Sequence, residues 1–205
     1  DETAVKATPT ERQDSSLLNA IEERAVAELR AALREQELAL LAALDQLGGT
    51  NEAVIVANAM RVMDANADPL QLAMYRILVS GAQAGITAVS QALPYNMAIG
   101  VDWKLSNANA EQFALNYSYD LVSRVQQTTR KGIGQAVARW VKDGGKLSDL
   151  ADSIRPLIAQ EPSTRIIEQV FSVDRATMIA ETEATRAYAR GKIEGYTSSG
   201  LAQQA

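Results

Sequence analysis

The sequence predicts an all-α protein: an elongated bundle of several helices, with one long N-terminal helix and little or no sheet. Aromatic residues make up only 5% of the 205 residues, while Ala and Leu are abundant, as is typical of packed helices. Apolar residues recur at three- and four-residue spacing over long segments, and no segment alternates as a strand would. We therefore expect at least about 60% of the chain to be helical.

The composition excludes several kinds of catalytic and metal-binding site. The chain has no cysteine and no histidine. Disulfides, thiol nucleophiles, the usual zinc sites and every Ser-His or Cys-His arrangement are thereby excluded. Neither a Walker loop nor a dinucleotide fingerprint is present. The sequence therefore predicts no catalytic residues, no metal and no cofactor.

Charge is distributed unevenly along the chain. Residues 1–100 carry 7 Lys and Arg against 13 Asp and Glu, and residues 101–205 carry 13 against 12. The front half is thus acidic, and the back half is nearly neutral with local basic clusters. Such a chain is not a general nucleic-acid binder, but a local basic stripe could still meet DNA or an acidic partner.

Residues 1–13 are polar and predict a tail or linker, followed by an N-terminal helical region over 14–93. Its first helix begins near Asp14 and ends at Leu47, about 50 Å long. The residues on its apolar side are Leu18, Ile21, Ala25, Leu29, Ala32, Leu40, Ala43 and Leu47. Those expected mostly outside are Glu22, Glu23, Arg30, Arg34 and Glu37. Such a helix suits an arm of an antiparallel bundle or a coiled-coil contact in an oligomer, and we expect it to contact another chain or a distant part of this one.

Two more helices are expected in this region, and the first runs from Thr50 or Asn51 to Asn66. Asp68 and Pro69 start the second, because Asp can cap a helix and Pro suits its first position. This helix ends near Leu93 and is apolar, but polar residues interrupt it, so we predict no transmembrane span. Gly81 and Gly85 are four residues apart, which favours close helix packing in water over dimerisation in a membrane.

Residues 94–108 predict a connection, with Trp103 as a packing anchor, and 109–205 form a C-terminal helical region. The next helix starts near Asn107 or Asn109 and ends at Gly144, possible breaks lying at Gly132 and Gly134. The residues that share its apolar face are Val122, Ile133, Val137 and Trp140. Four basic residues share the opposite face: Arg124, Lys131, Arg139 and Lys142. That face suits either a solvated surface or a contact with DNA phosphate or an acidic partner. A shorter helix is expected over residues 148–160.

The last predicted helix covers residues 175–191 and is capped by Ser172 or Asp174. One side of it carries Ala176, Ile179, Ala180, Glu183 and Ala187. A face made mostly of alanine can approach a neighbouring helix closely. If Glu183 points inward it needs a cationic or hydrogen-bonding partner, because a lone buried charge is too costly. The candidates are Arg175, Arg186 and Arg190.

These residues also carry a resemblance to a protein family. Arg175, Ala176, Ile179, Ala180, Thr182, Glu183, Ala187 and Gly191 resemble the signature of the phage head-morphogenesis (Mu F-like) minor head proteins. Upstream, the segment 125–150 is similar to that family's approach to the signature, with Thr128, Thr129, Ile133, Trp140, Gly144, Gly145 and the run 147–150. The likeness covers roughly residues 110–195. Position 181, often Arg in the family, is Glu here, and the Cys-containing segment that commonly follows is missing.

The resemblance implies a structural, non-enzymatic protein of the phage virion. It would be a minor head or portal-associated protein acting in head assembly and in DNA packaging or delivery. Implied partners are the portal and head proteins and the packaged DNA, with oligomeric contacts. The expected location is the head interior or portal vertex, after assembly in the host cytoplasm.

A second hypothesis comes from the same family, because some relatives are grouped with ADP-ribosyltransferases. By that likeness Glu183 and Arg175 would be catalytic, in a transferase-like or toxin-like enzyme whose catalytic portion lies beyond Ala205. The chain begins at Asp1 rather than Met, which indicates an internal or processed start. Glu181 and Glu183, two positions apart, point to different sides of a helix and do not form a carboxylate pair.

Overall fold

Five helices account for nearly all of the described chain. They are α1 (Pro9–Asp45), α2 (Glu52–Ala65), α3 (Ala67–Ala92), α4 (Trp103–Asp143) and α5 (Val173–Ser198). The computed structural model describes residues 9–47, 51–93, 102–144, 149–150 and 172–200, with backbone only for 9–14. Within those ranges 93% of the residues are helical and none is in a strand. The all-α prediction is confirmed.

Side-chain caps fix where three helices begin. Asn51 accepts from the Val54 N–H at 3.3 Å before α2, and Ser172 accepts from the Arg175 N–H at 3.1 Å before α5. Ser172 is one of the two caps predicted for α5, and Asn51 is one of the two residues predicted as the start of α2. Asp102 accepts from the Leu105 N–H at 2.9 Å, so α4 starts at Trp103, earlier than predicted.

Proline and glycine mark two further boundaries. The first helix begins at Pro9, ahead of its predicted start near Asp14, in keeping with the preference of proline for the first helical position. α4 runs unbroken through Gly132 and Gly134 and ends before Gly144, whose φ of 66° is the left-handed conformation of a helix C-terminus. The predicted helix over 148–160 lies outside the described residues, apart from Asp149 and Leu150.

The chain divides into two compact units. The first unit comprises Asp1–Val26, Tyr75–Tyr117 and Ala180–Ala205, and the second comprises Ala27–Met74 and Ser118–Ile179. Each unit takes segments from before and after the predicted connection at 94–108. That connection stays a prediction, since residues 94–101 lie outside the described part.

The core of the first unit joins α3, α4 and α5. One cluster contains Leu78, Ala114 and Ala187, and half-buried Tyr75, Val79 and Tyr117 pack against it. In a second cluster, half-buried Trp103 packs on Ala82, Ile86 and Ala110. Trp103 is therefore the packing anchor that the sequence predicted.

In the second unit the core takes in the apolar side of α1. Leu29 and Leu40 are fully buried, as are Leu33 and Leu44. Of the predicted apolar side, Ala25, Leu29, Ala32 and Leu40 are buried by this chain, and Leu18, Ile21, Ala43 and Leu47 are half-buried. A Glu at position 29 or 40 would therefore disturb the folding of the unit itself.

The prediction that Glu37 points outward is wrong. Glu37 is only 1% exposed, and its Oε2 accepts a hydrogen bond from Arg34 at 2.5 Å. The neighbouring Gln36 is fully buried as well. Both lie between Leu33 and Leu40 on the face that packs into the core, so the apolar periodicity of α1 continues through two polar residues.

The junction of α2 and α3 explains why a buried glutamine is tolerated. Pro69 has no N–H and its ring clashes with the carbonyl four residues earlier, which breaks the helix at Asn66. Side chains supply donors to the carbonyls around the break. Gln36 Nε2 donates to Asn66 O at 2.7 Å, and Gln126 Nε2 donates to Met63 O at 3.4 Å. Two other helices thus cap the junction.

We expect the Gln36→Met substitution to lower the free energy of unfolding by about 1–2 kcal/mol. Methionine keeps the length of the side chain, but the Asn66 carbonyl loses its donor from α1. The exposed Gln127→Met is the matched control and should change stability by less than about 0.5 kcal/mol. Urea unfolding followed by circular dichroism measures both. Equal effects at the two positions would show that the junction bond does not contribute.

Among the described helices, α3 alone is long and apolar enough to cross a membrane by length and composition. More than half of its most apolar window, 56%, is buried inside the protein. A core helix passes the same test, and the prediction of no membrane span stands as a prediction.

Candidate functional site

Most of the signature residues of α5 lie on its buried face. Ala176, Ala180 and Ala187 are buried, and Ile179 is half-buried. Ala184, which the sequence analysis did not single out, is fully buried on the same side. Thr182 is exposed. The predicted inner face is therefore confirmed, with Ala184 added because it continues the three- and four-residue spacing.

In the first unit the backbones of α5 and α3 are in contact at glycines, beside the side-chain packing of the two helices. A Cβ placed on Gly191 would lie 1.9 Å from the Ala82 carbonyl oxygen, and one on Gly85 would lie 2.1 Å from the Tyr188 carbonyl oxygen. A Cβ on Gly81 would lie 2.8 Å from Ala187 Cβ. At Gly85 and Gly191 a Cα hydrogen takes the place of the side chain and points at a carbonyl of the other helix, a weak but recurrent contact. The predicted use of Gly81 and Gly85 for close packing is confirmed.

Glu183 points inward and has the cationic partner that the sequence required. It is 6% exposed, and Arg186 Nη1 donates to its two carboxylate oxygens at 2.7 and 2.9 Å. The attraction of Glu183 raises the pKa of Arg186. Arg186 also donates to the Tyr117 hydroxyl of α4 and lies 5.8 Å from that ring's centroid. The pair therefore joins α5 to α4.

A second arginine extends this contact into a ladder of rings and cations. Phe113 and Tyr117 stack with centroids 5.4 Å apart, and Arg190 lies 5.8 Å from the Phe113 centroid. This ladder was not among the features predicted from the sequence. Its signal was present: two aromatic residues four apart on α4 and two arginines four apart on α5.

In the second unit Arg175 ties the start of α5 to α4. Its Nη1 donates to Thr129 Oγ1 and its Nη2 to the Val125 carbonyl, each at 3.1 Å. Burial lowers the pKa of Arg175. Thr129 belongs to the upstream part of the resemblance, so the structure brings two separately predicted residues together.

The predicted basic face of α4 also lies in the second unit. Arg124, Lys131, Arg139 and Lys142 are all exposed. The apolar residues assigned to the opposite side, Val122, Ile133, Val137 and Trp140, are all buried. The two faces are therefore placed as predicted.

These arrangements hold helices together rather than gather reactive groups. Arg175 and Glu183 are eight positions apart on one continuous helix, a rise of about 12 Å. Each is hydrogen-bonded where it lies, one to α4 directly and the other to Arg186. Glu181 is exposed on the other side of α5 from Glu183, as predicted. The described residues contain no group of three or more acidic, His or Cys side chains that could hold a metal ion.

Comparison with models of known protein families gives no match. Searches of curated proteins and of solved structures give none either. The resemblance of α5 to the head-morphogenesis signature therefore rests on the signature residues themselves.

Proposed function

We propose that the chain is a structural component of a phage virion. It acts as a minor head or portal-associated protein in head assembly and in DNA packaging or delivery. Its partners are the portal and head proteins, its place is the head interior or portal vertex, and it is not an enzyme. It reaches that place from the host cytoplasm during assembly.

One observation carries the proposal. The residues that resemble the family signature serve internal packing, with Gly191 against α3, Glu183 held by Arg186, and Arg175 bonded to α4. A signature that serves to hold helices in place suits a scaffolding protein. The exposed basic face of α4 leaves a charged surface for a partner, which on charge alone is DNA phosphate or an acidic protein surface.

The enzymatic alternative gains no support from the described residues. A transferase that used Glu183 and Arg175 would need both side chains turned toward one substrate. Here Glu183 is buried against Arg186, and Arg175 donates to Thr129 and to a backbone carbonyl.

The complete reading frame, sequenced with its neighbours, tests the proposal first. We expect terminase and portal genes beside it. An immunity gene directly downstream, with no head genes nearby, would instead favour the toxin-like enzyme.

Co-expression supplies the biochemical test. An affinity-tagged chain, produced together with the portal and head proteins encoded beside it, should be recovered in purified proheads. A tagged unrelated helical protein of similar size is the control for trapping. Recovery no greater than that of the control would contradict the proposal.

A further inference from the structure

Four cations form a row on the outer surface of α4 in the second unit. This basic row consists of Arg124, Lys131, Arg139 and Lys142, all exposed. At about 100° per residue they fall within an arc of about 80°, and the row rises about 27 Å along the helix. A straight row of this kind presents its charges in one direction.

The segment of α4 that carries the basic row contains no acidic residue between its two ends. Asp120 and Asp143 flank the row at its two ends. Thr128 and Gln135 lie within its arc, and Gln127 and Ala138 lie just beside it; all four are neutral and exposed. Arg130, which is ion-paired with Asp64, lies on a different side of α4.

Among the described residues of α4 no large apolar side chain is exposed within the arc of the row, and this decides between the two kinds of acidic partner. A protein interface has an apolar, often aromatic core within a polar rim. The exposed large apolar residues of α4 in the second unit are Tyr119 and Val141, and helical geometry places both about 80° or more outside the arc of the row. Contacts to a phosphate backbone need only cations and polar side chains.

We propose that the basic row binds the phosphate backbone of a nucleic acid without reading its sequence. The inference rests on the proposed function in one respect, since packaged DNA is the polyanion that such a protein would meet. Arg and Lys neutralise phosphates and release condensed counterions, so the affinity depends on salt. The net charge of −5 opposes long-range attraction, which confines strong binding to low salt.

The test is fluorescence anisotropy of the full chain with a labelled duplex DNA of random sequence, over a range of KCl concentrations. Four phosphate contacts predict a slope of log K against log salt of about −3.6. Changing all four residues of the row to Gln should weaken binding at low salt by about tenfold or more, and Lys131→Gln alone should reduce the slope by about one. A second duplex of different sequence should bind equally well.

The matched control is a variant that also loses four positive charges, but at positions outside the basic row. Arg30, Arg61, Arg76 and Lys104 are exposed and lie outside the row. Their fourfold change to Gln should leave most of the binding intact, and thermal melts should show that both variants are folded.

Three results would overturn the inference. They are no binding of duplex DNA by the parent chain at low salt, equal losses in the two fourfold variants, and tighter binding of labelled poly-glutamate than of DNA. The last would assign the row to an acidic protein surface. Recovery of the row variant in proheads is a separate measurement, so the inference and the proposed function can fail independently.

Discussion

The Gly191→Ala substitution is expected to destabilise the protein by about 3 kcal/mol or more. The added methyl group would lie 1.9 Å from the Ala82 carbonyl oxygen, 2.7 Å from its carbonyl carbon and 2.8 Å from its Cα. All three are backbone atoms of a helix, so no rotamer change relieves the clash. Either α3 or α5 has to move, and the alanine and leucine contacts of the first unit move with it.

Gly85→Ala should have a similar effect from the other side of the same helix pair. Its methyl group would meet the Tyr188 carbonyl oxygen at 2.1 Å and the Lys192 nitrogen at 2.7 Å. A single increase in the separation of α3 and α5 accommodates both methyl groups. The double variant should therefore lose less stability than the sum of the two single variants.

Gly134→Ala is the matched control. This glycine lies within α4, and a Cβ built there has no atom of another described helix within 4 Å. Alanine in a helix interior is favoured over glycine by about 0.5–1 kcal/mol, so this variant should be more stable than the parent. Urea unfolding measures all three. A Gly191→Ala protein as stable as the parent would show that the two backbones are not in contact.

Local chemistry made much of this fold predictable from sequence. Ser172 was one of two residues expected to cap α5, because its side chain can accept from an N–H group of the first turn, and it does so. The two faces of α4 followed from helical periodicity alone. These features depend on residues within a few positions of one another, which is the range over which a sequence pattern is informative.

Features that depend on which helices are neighbours were harder to predict. Glu37 was assigned to the outer side of α1 on charge, although its face continues the buried leucine stripe. The buried Gln36 depends on a helix break that Pro69 sets far along the chain. Polar residues of this kind are recognisable only when the group they bond to is known.

The α5 site was predictable from the sequence only in part. That Glu183 would turn inward and need a cation followed from its place among alanines, and three arginines were possible partners. Geometry within the helix selects Arg186, three positions on and therefore on the neighbouring surface. The matching spacings of the aromatic residues and the arginines indicate a contact between α4 and α5, but which arginine meets Tyr117 depends on the register of the two helices.

The largest loss at this site is expected from Arg186→Met, rather than from changes to Glu183. Methionine retains the apolar stem but leaves a carboxylate that is 6% exposed without its cation, at an expected cost of about 3 kcal/mol. Glu183→Ala should cost about 1–3 kcal/mol, because the 50% exposed Arg186 can turn to water. Glu183→Gln retains an acceptor for Arg186 and should cost less. Thr182→Val, on the exposed side, should be nearly neutral.

The Arg186→Met substitution should reverse the sign of the effect that Glu183→Gln has on stability. With Arg186 present, the Glu183→Gln protein should be less stable than the parent, because the ion pair is lost. In the Arg186→Met background the neutral amide should be the more stable of the two, because no charge then remains buried without a partner. Thermal melts of the four proteins at neutral pH measure this coupling, and an NAD-consumption assay run beside them tests the enzymatic alternative. A catalytic Glu183 requires the opposite pattern: unchanged melts throughout, and NAD turnover in the parent that is lost in Glu183→Gln.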